Sequence, residues 1–162
     1  MTELRQTREL IDQATDRLDA LAEHDAGVNL LETIPGVGPR TAETIVAHLG
    51  DPGRFDNGKQ VSAYGGLVPR QFQSGETDRR GRITRRGPAV LRKLLVECAW
   101  ALLRSNAWAR AIYRRLTRGG KSRRKQATVA LARKLLVRCW AMLRDGTPWR
   151  DDPAPDPTVV PA

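Results

Sequence analysis

Short runs of glycine and proline divide this chain into helical segments, and no other feature of the sequence limits the fold as strongly. The runs lie at residues 35–39, 65–69, 87–88 and 119–120. Between them apolar residues recur every three or four positions, which is the period of an amphipathic α-helix. We therefore expect a mainly α fold with an N-terminal coiled-coil-like helix, a helix-hairpin-helix, an irregular glycine-rich loop and a C-terminal helical bundle.

The length of 162 residues, with a hydrophobic content of 40%, supports one buried core with appendages. We expect a coiled-coil-like helix over residues 1–25 and a main domain over 26–146, in which the hairpin occupies 30–50. The proline-rich end, residues 147–162, has the composition of a disordered tail.

The composition disfavours membrane-spanning and metal-binding proteins. No run approaches the ~18 consecutive apolar residues of a membrane-spanning helix, so a soluble, cytoplasmic protein is expected. The two cysteines, Cys98 and Cys139, lie at apolar helical positions without neighbouring ligands at metal spacing. We expect buried, reduced thiols and neither a metal site nor a cofactor in this chain.

The charge balance is the first indication of function. Lysine and arginine together number 28 against 18 aspartates and glutamates, which gives a formal net charge of +10. Such an excess favours an anionic polymer or an anionic membrane surface as a partner. A basic domain without such a partner is the open alternative.

Residues 2–25 contain neither glycine nor proline and repeat apolar residues at seven-residue intervals. The seam consists of Leu4, Ile11, Ala14, Leu18 and Leu21. This pattern predicts a coiled coil and, with it, a homodimer or higher oligomer. Leu10 widens the stripe beyond a strict seam, so an ordinary amphipathic helix packed on the core is the alternative.

Residues 30–50 combine a Pro-Gly-Val-Gly turn with a proline at the start of the next helix, as in a tight helix-hairpin-helix. Glycines let the backbone approach a phosphate, and the amides at a helix N-terminus point towards it. The residues predicted to contact nucleic acid are Gly36, Gly38, Arg40 and Thr41. A purely structural hairpin is the alternative.

The most unusual stretch spans residues 63–92, where glycine turns precede a dense group of arginines and the start of a helix. Between the turns the sequence predicts a loop or an irregular two-stranded ribbon around Gly75 and Gly81. Guanidinium groups bind phosphates bidentately and stabilise a pentavalent transition state. The predicted phosphate ligands are Arg79, Arg80, Arg82, Arg85, Arg86 and Arg92. Ser74 lies nearby, but spacing alone does not distinguish a nucleophile from an ordinary loop serine.

Three helices complete the predicted bundle, over residues 89–103, 106–117 and 121–143. The predicted N-cap of the second helix is Ser105. The helical positions of Trp100 and Trp140 predict that both belong to the core. The predicted inward face of the first helix comprises Val90, Leu94, Leu95, Cys98 and Leu102.

Four segments together resemble one known family. They are IPGVGPRTAETIVAHLGDPGRF, SAYGGLVPRQFQSGE, GRITRRGPAVLRKLLVECAW and QATVALARKLL, which occur in the family's order over residues 30–146. They are similar to the C-terminal transposase domain of the IS-one-ten (IS110) family. These are the bridge-RNA-guided, DEDD-type insertion-sequence recombinases, a group that includes the pilin-gene inverting proteins.

The resemblance implies DNA strand exchange by a serine nucleophile, with DNA and a guide (bridge) RNA as partners. The serine of the family's Gly-Leu-x-Pro and Ser-Gly pattern falls on Ser74. Ser62 is the competing serine, on a predicted helix before the glycine turn. A tyrosine recombinase using Tyr64 or Tyr113 is a third hypothesis, which the scarcity of histidines disfavours.

Members of that family carry, ahead of this domain, a RuvC-like domain whose four acidic residues bind magnesium. The segment before the hairpin shows no pattern for such a domain, so we expect a partial transposase that is incomplete as an enzyme alone. The alternative is a non-catalytic, basic helix-hairpin-helix module that binds DNA or RNA.

Overall fold

The structure is a computed structural model that describes the backbone of residues 2–74 and 77–150 and the side chains of 3–70 and 82–150. Within these residues the chain forms seven α-helices and one two-stranded ribbon, which confirms the mainly α fold. The helices are α1 (Thr2–Ala22), α2 (Ala26–Glu32), α3 (Pro39–Leu49), α4 (Gly58–Tyr64), α5 (Ala89–Ser105), α6 (Ala107–Thr117) and α7 (Arg124–Asp145). The antiparallel ribbon consists of β1 (Pro69–Ser74) and β2 (Thr77–Ile83).

Helices α5 and α7 pack along each other at the centre of the core, because each presents a leucine row at helical spacing. The fully buried leucines of this pair are Leu91, Leu95, Leu102, Leu131, Leu135 and Leu136. Helices α4 and α6 pack on α7, while α2 and α3 cover the remaining sides of the central pair. The helix that follows the ribbon, α5, is therefore part of the packed helical core.

The observed inward face of α5 differs from the predicted one. Val90 is 65% exposed and Trp100 is 46% exposed, so the prediction that they face the core is wrong. Leu91 and Ala99 are buried in the core instead, whereas the predicted Leu95, Cys98 and Leu102 are buried as expected. The prediction for Trp140 is confirmed, because this side chain is buried and its indole Nε1 donates to the carbonyl oxygen of Pro52 at 2.9 Å.

The junction between α5 and α6 is capped by a residue other than the predicted one. Ser105 is the last residue of α5, and the buried Asn106 accepts a hydrogen bond from the amide of Ala109 through Oδ1 at 3.0 Å. A buried amide side chain can end one helix and start the next without an intervening loop, which favours Asn106 over the predicted serine.

The predicted tail begins later than residue 147. The amide of Trp149 donates to Thr33 Oγ1 at 2.9 Å, and its ring packs edge-on against Trp108 with centroids 5.2 Å apart. Residues 147–150 therefore fold back onto the bundle. The rest of the predicted tail, 151–162, lies outside the described residues.

Helix α1 confirms the predicted N-terminal helix but has an exposed apolar stripe. The exposed side chains of the stripe include Leu4, Leu10, Ile11, Leu18 and Leu21. The alternative of a helix packed on the core is wrong for this stripe, whereas pairing as a coiled coil stays a prediction. In the described part of the chain, no helix is long and apolar enough to cross a membrane.

Candidate nucleic-acid interface

Two glycine turns cross at the base of the ribbon, where the backbone of one presses against the backbone of the other. Gly66 has φ +65° and Gly87 has φ +126°, values that side-chain-bearing residues rarely adopt. A Cβ atom on Gly66 would overlap the carbonyl oxygen of Arg86, and one on Gly87 would overlap that of Tyr64. Only glycine fits at either position, which accounts for the glycines in both turns.

Hydrogen bonds fix the crossing in one geometry. The amide of Thr84 donates to the Val68 carbonyl at 2.8 Å, and the amide of Arg85 donates to the Gly66 carbonyl at 3.2 Å. Arg85 itself has φ +55°, an uncommon conformation for a residue with a long side chain. The turn thus carries the adjacent Arg85 and Arg86, both exposed, on a rigid backbone.

The same turn leads into the N-terminus of α5, which is open to an anion. Its N-cap, Pro88, provides no side-chain hydrogen bond, and the first turn contains no acidic residue. The first backbone bond of the helix is from the amide of Arg92 to Pro88, so the three preceding amides have no partner within the helix. Arg92 Nη1 donates to the carbonyl oxygen of Gly87 at 3.5 Å, beside this helix start. The amides, with Arg85 and Arg86 immediately before them in the chain, make the start of α5 a candidate site for a negative charge.

The ribbon extends from this base, and its register gives the position of the candidate nucleophile. Ile83 pairs with Pro69 at the base, and Thr77 pairs with Ser74 at the far end. Five residues at ~3.3 Å each separate Pro69 from Ser74, or about 17 Å. The structure therefore does not bring Ser74 together with the arginines at the base.

The arginines of β2 lie between these two ends. Arg79 pairs with Phe72 and Arg80 with Gln71, and Gly81 and Arg82 together lie opposite Arg70, as in a β-bulge. The side chains predicted at Ser74, Arg79 and Arg80 lie outside the described residues, whereas Arg82 is exposed. The predicted irregular ribbon is thus present, with its irregularity near the base.

The turn between α2 and α3 lies at the opposite end of α5 from the arginine cluster. Gly36 contacts this end so closely that an added Cβ would lie 3.1 Å from Ser105 Oγ and 3.2 Å from Leu102 Cδ2. Thirteen residues at 1.5 Å each, about 20 Å, separate Leu102 from the start of α5. Gly36 has a clear packing role, while Gly38 is exposed with open space around it.

Arg40, predicted to contact nucleic acid, connects α1 to α3 in this structure. Its Nη1 donates to Glu43 at 2.8 Å, and its Nη2 donates to Asp19 at 2.7 Å and to the carbonyl oxygen of Thr15 at 3.3 Å. The hydrogen bond to Glu43 and the nearby carboxylate of Asp19 raise the pKa of Arg40. A phosphate contact by Arg40 would compete with these bonds, and the half-buried Thr41 follows it on α3.

Two of the three alternative nucleophiles, Ser62 and Tyr64, have hydroxyls with structural roles. Ser62 is buried, and its Oγ donates to the carbonyl oxygen of Gly58 at 2.7 Å. The hydroxyl of Tyr64 donates to the carbonyl oxygen of His48 at 2.9 Å, while the ring of Tyr113 packs against Trp100. This geometry disfavours Ser62 and Tyr64 as nucleophiles.

Arg54, which contacts Tyr64 beside the glycine turn, was not predicted from the sequence. The guanidinium of Arg54 lies 4.6 Å from the ring centroid of Phe55 and 4.7 Å from that of Tyr64. Arg54 also donates to the carbonyl oxygen of His48 at 2.9 Å, the same oxygen that Tyr64 uses. The only sequence signal was a single arginine beside an aromatic residue in a loop, which does not predict this contact.

Comparison with known proteins agrees with the resemblance. The model of the transposase IS116/IS110/IS902 family matches residues 28–114, from α2 into α6. The transposase for insertion sequence element IS1111A of Coxiella burnetii is 37% identical over 150 residues, covering 88% of this chain and 40% of that protein. A probable family 20 transposase of Pseudomonas aeruginosa is 35% identical over 150 residues, covering 91% and 44%.

A third relative, the pilin gene-inverting protein of Moraxella bovis, is 33% identical over 124 residues, covering 75% of this chain and 38% of that protein. The chain thus spans about two-fifths of the length of these curated relatives. The matched region contains the turn between α2 and α3, the ribbon and the arginine cluster. The chain belongs to the IS116/IS110/IS902 family of transposases.

Proposed function

We propose that this chain is the DNA-handling domain of an insertion-sequence transposase. The observation that carries the proposal is the crossing of Gly66 and Gly87, which fixes an arginine cluster beside the open N-terminus of α5. Backbone amides that the crossing holds in place bind a phosphate without being ordered first, and the neighbouring guanidiniums add positive charge. Family membership supports DNA as the source of that phosphate.

We further propose Ser74 as the nucleophile of strand exchange. Its Oγ would form a bond to phosphorus while the bond from phosphorus to the sugar oxygen breaks; the serine proton is lost, and the departing oxygen takes up a proton. The phosphoserine conserves the bond energy, so a hydroxyl of a second strand can reverse the step. Among the described residues no group of three metal-ligating side chains occurs, so these residues offer no donor set for the magnesium of the family.

Because of the length of the ribbon, its arginines would contact different phosphates. Arg79 is two register pairs from the Ser74 end, about 7 Å along the ribbon, and is the nearest predicted phosphate ligand in β2. The arginines at the base, about 17 Å away, would contact other phosphates of the same DNA. This separation also supports the second candidate function, a module that binds DNA or RNA without catalysis.

The binding half of the proposal is tested by Arg86→Gln with Arg92→Gln, compared with Arg5→Gln and Arg8→Gln on α1, which remove the same charge. Binding of a short DNA duplex should weaken about tenfold or more only in the first pair, with a salt slope lower by about 1.8. Equal losses of affinity in both variants would mean that the cluster contributes to binding only through its net charge.

The catalytic half is tested by trapping a covalent adduct on a nicked DNA substrate, with the complete transposase that contains this domain. Ser74→Ala should abolish the adduct, while Ser122→Ala should leave it intact. An adduct that persists in Ser74→Ala would exclude this serine, and an intact duplex-binding affinity in that variant would separate chemistry from binding.

A further inference from the structure

A second basic surface extends from α6 across the following turn to the start of α7. We name it the α6–α7 ridge, and all its members are exposed: Arg110, Arg114, Arg118, Lys121, Arg123, Arg124 and Lys125. No acidic residue occurs between Glu97 and Asp145. None of the ridge cations forms an ion pair with a described residue.

Two features of the ridge oppose helix stability, so folding alone does not account for it. Arg110 and Arg114 lie one turn apart on α6, where like charges repel, although the position of Arg114 in the last turn also suits the helix dipole. Arg123 is the N-cap of α7, which lacks a side-chain cap and an acidic first turn, so the cations beside it face the positive end of the helix dipole. By contrast, Asp25 and Asn57 cap α2 and α4 with their side chains. A bound polyanion would relieve both conflicts.

The ridge is separate from the arginine cluster at the ribbon base. Leu136 on α7 lies against Gly65, in the turn that forms the base. A Cβ added to Gly65 would lie only 2.6 Å from Leu136 Cδ2. Twelve residues at 1.5 Å each, about 18 Å along α7, separate Leu136 from Arg124. A single phosphate cannot contact both places.

The composition of the ridge favours a phosphate backbone over a protein surface. The large apolar side chains that are exposed include Leu4, Val90 and Trp100, and none of those identified lies between residues 107 and 125. Stable protein interfaces need apolar anchors at their centre, whereas contacts to a phosphate backbone need mainly arginine and lysine.

We propose that the α6–α7 ridge binds the sugar–phosphate backbone of duplex DNA, as a second contact surface beyond the one at the ribbon base. The choice of DNA rests on the proposed function, whereas the choice of a phosphate backbone rests on the ridge itself. The chain would then contact DNA at two places, and the proposal does not depend on the serine chemistry.

The test compares two variants of the full chain that remove three charges each. The ridge variant is Arg114→Gln, Lys121→Gln and Lys125→Gln, and the control on α1 is Arg5→Gln, Arg8→Gln and Arg17→Gln. With a random-sequence DNA duplex as probe, the ridge variant should lose about tenfold or more in affinity, and its salt slope should fall by up to about 2.7. Its thermal midpoint should change little, because relief of like-charge repulsion offsets the lost interaction of Arg114 with the α6 dipole.

An affinity equal to that of the unmodified chain, or a loss equal to that of the α1 control, would overturn the proposal. A loss confined to a duplex RNA probe would overturn the assignment to DNA. The variant with Arg86→Gln and Arg92→Gln is measured in parallel, so that a loss of binding at the ribbon base is distinguished from a loss at the ridge. If only this pair fails to weaken binding, the ribbon-base proposal fails and the ridge stands.

Discussion

The Cα of Gly87 lies so close to the carbonyl oxygen of Tyr64 that a Cβ on Gly87 would overlap it. This contact joins the end of α4 to the segment that starts α5. It positions the arginine cluster by backbone contact alone, without a side chain that could move. The precision of the site therefore depends on a residue that has no functional group.

We predict that Gly87→Ala destabilises the domain by about 3 kcal/mol or more, because it adds a steric overlap to a backbone conformation that only glycine adopts readily. Denaturant unfolding measures this loss. Gly119→Ala is the matched control, since Gly119 has φ +76° and nothing within 4 Å of an added Cβ. It should cost only about 1 kcal/mol. Equal losses would assign the effect to the positive φ and not to the contact.

Because its two thiols are buried, we predict that the protein loses stability at alkaline pH. Burial raises the pKa of Cys98 from 9.0 to about 11 and raises that of Cys139 further, so both stay protonated in the folded state. The unfolded chain loses these protons from about pH 9 upward and then binds fewer protons than the native state. The free energy of unfolding should therefore fall with rising pH, by at most ~1.4 kcal/mol per pH unit for each thiol.

Denaturant unfolding between pH 7 and pH 10 tests the thiol prediction, with Cys98→Ala as the comparison. This variant should show a shallower decline, because one of the two titrating groups is gone. An identical pH dependence in both proteins would contradict the assignment to Cys98.

The helices were predictable from the sequence because their periods and their glycine breaks are local properties. Which face of a helix is buried depends on its partner, and this is why Val90 and Trp100 were assigned to the core but are exposed. The ends of helices were less predictable still. Asn106 caps α6 from a buried position that its sequence neighbours do not indicate.

The candidate site was predictable in part for a similar reason. The sequence indicated the glycines and arginines of residues 63–92, since they lie close together in the chain. It indicated a loop or an irregular ribbon but not the length of that ribbon, which follows from strand pairing and separates Ser74 from Arg85 and Arg86. Nor did it show that Arg40 pairs with Asp19, which is 21 residues away.

We predict that the chain self-associates through the exposed apolar stripe of α1. Ile11 and Leu18 are 58% and 48% exposed, so Ile11→Lys with Leu18→Lys should leave the free energy of unfolding of the main domain almost unchanged while preventing pairing. Sedimentation over a range of concentrations measures the assembly. Gln6→Lys with Gln13→Lys adds the same charge beside the stripe and should preserve it. An unmodified chain that sediments as a monomer throughout would contradict the prediction.

The last prediction concerns two tryptophans with contrasting contacts. Trp149 packs edge-on against Trp108 at 5.2 Å, lies under the guanidinium of Arg138 at 5.1 Å and is tied by its amide to Thr33. Trp149→Ala should therefore lower the free energy of unfolding by about 2 kcal/mol, although the residue follows the last helix. Trp100→Ala, at a position 46% exposed, should cost less than half as much in the same denaturant titration. A negligible loss from Trp149→Ala would mean that the fold-back of residues 147–150 contributes little to stability, and that the domain effectively ends with α7.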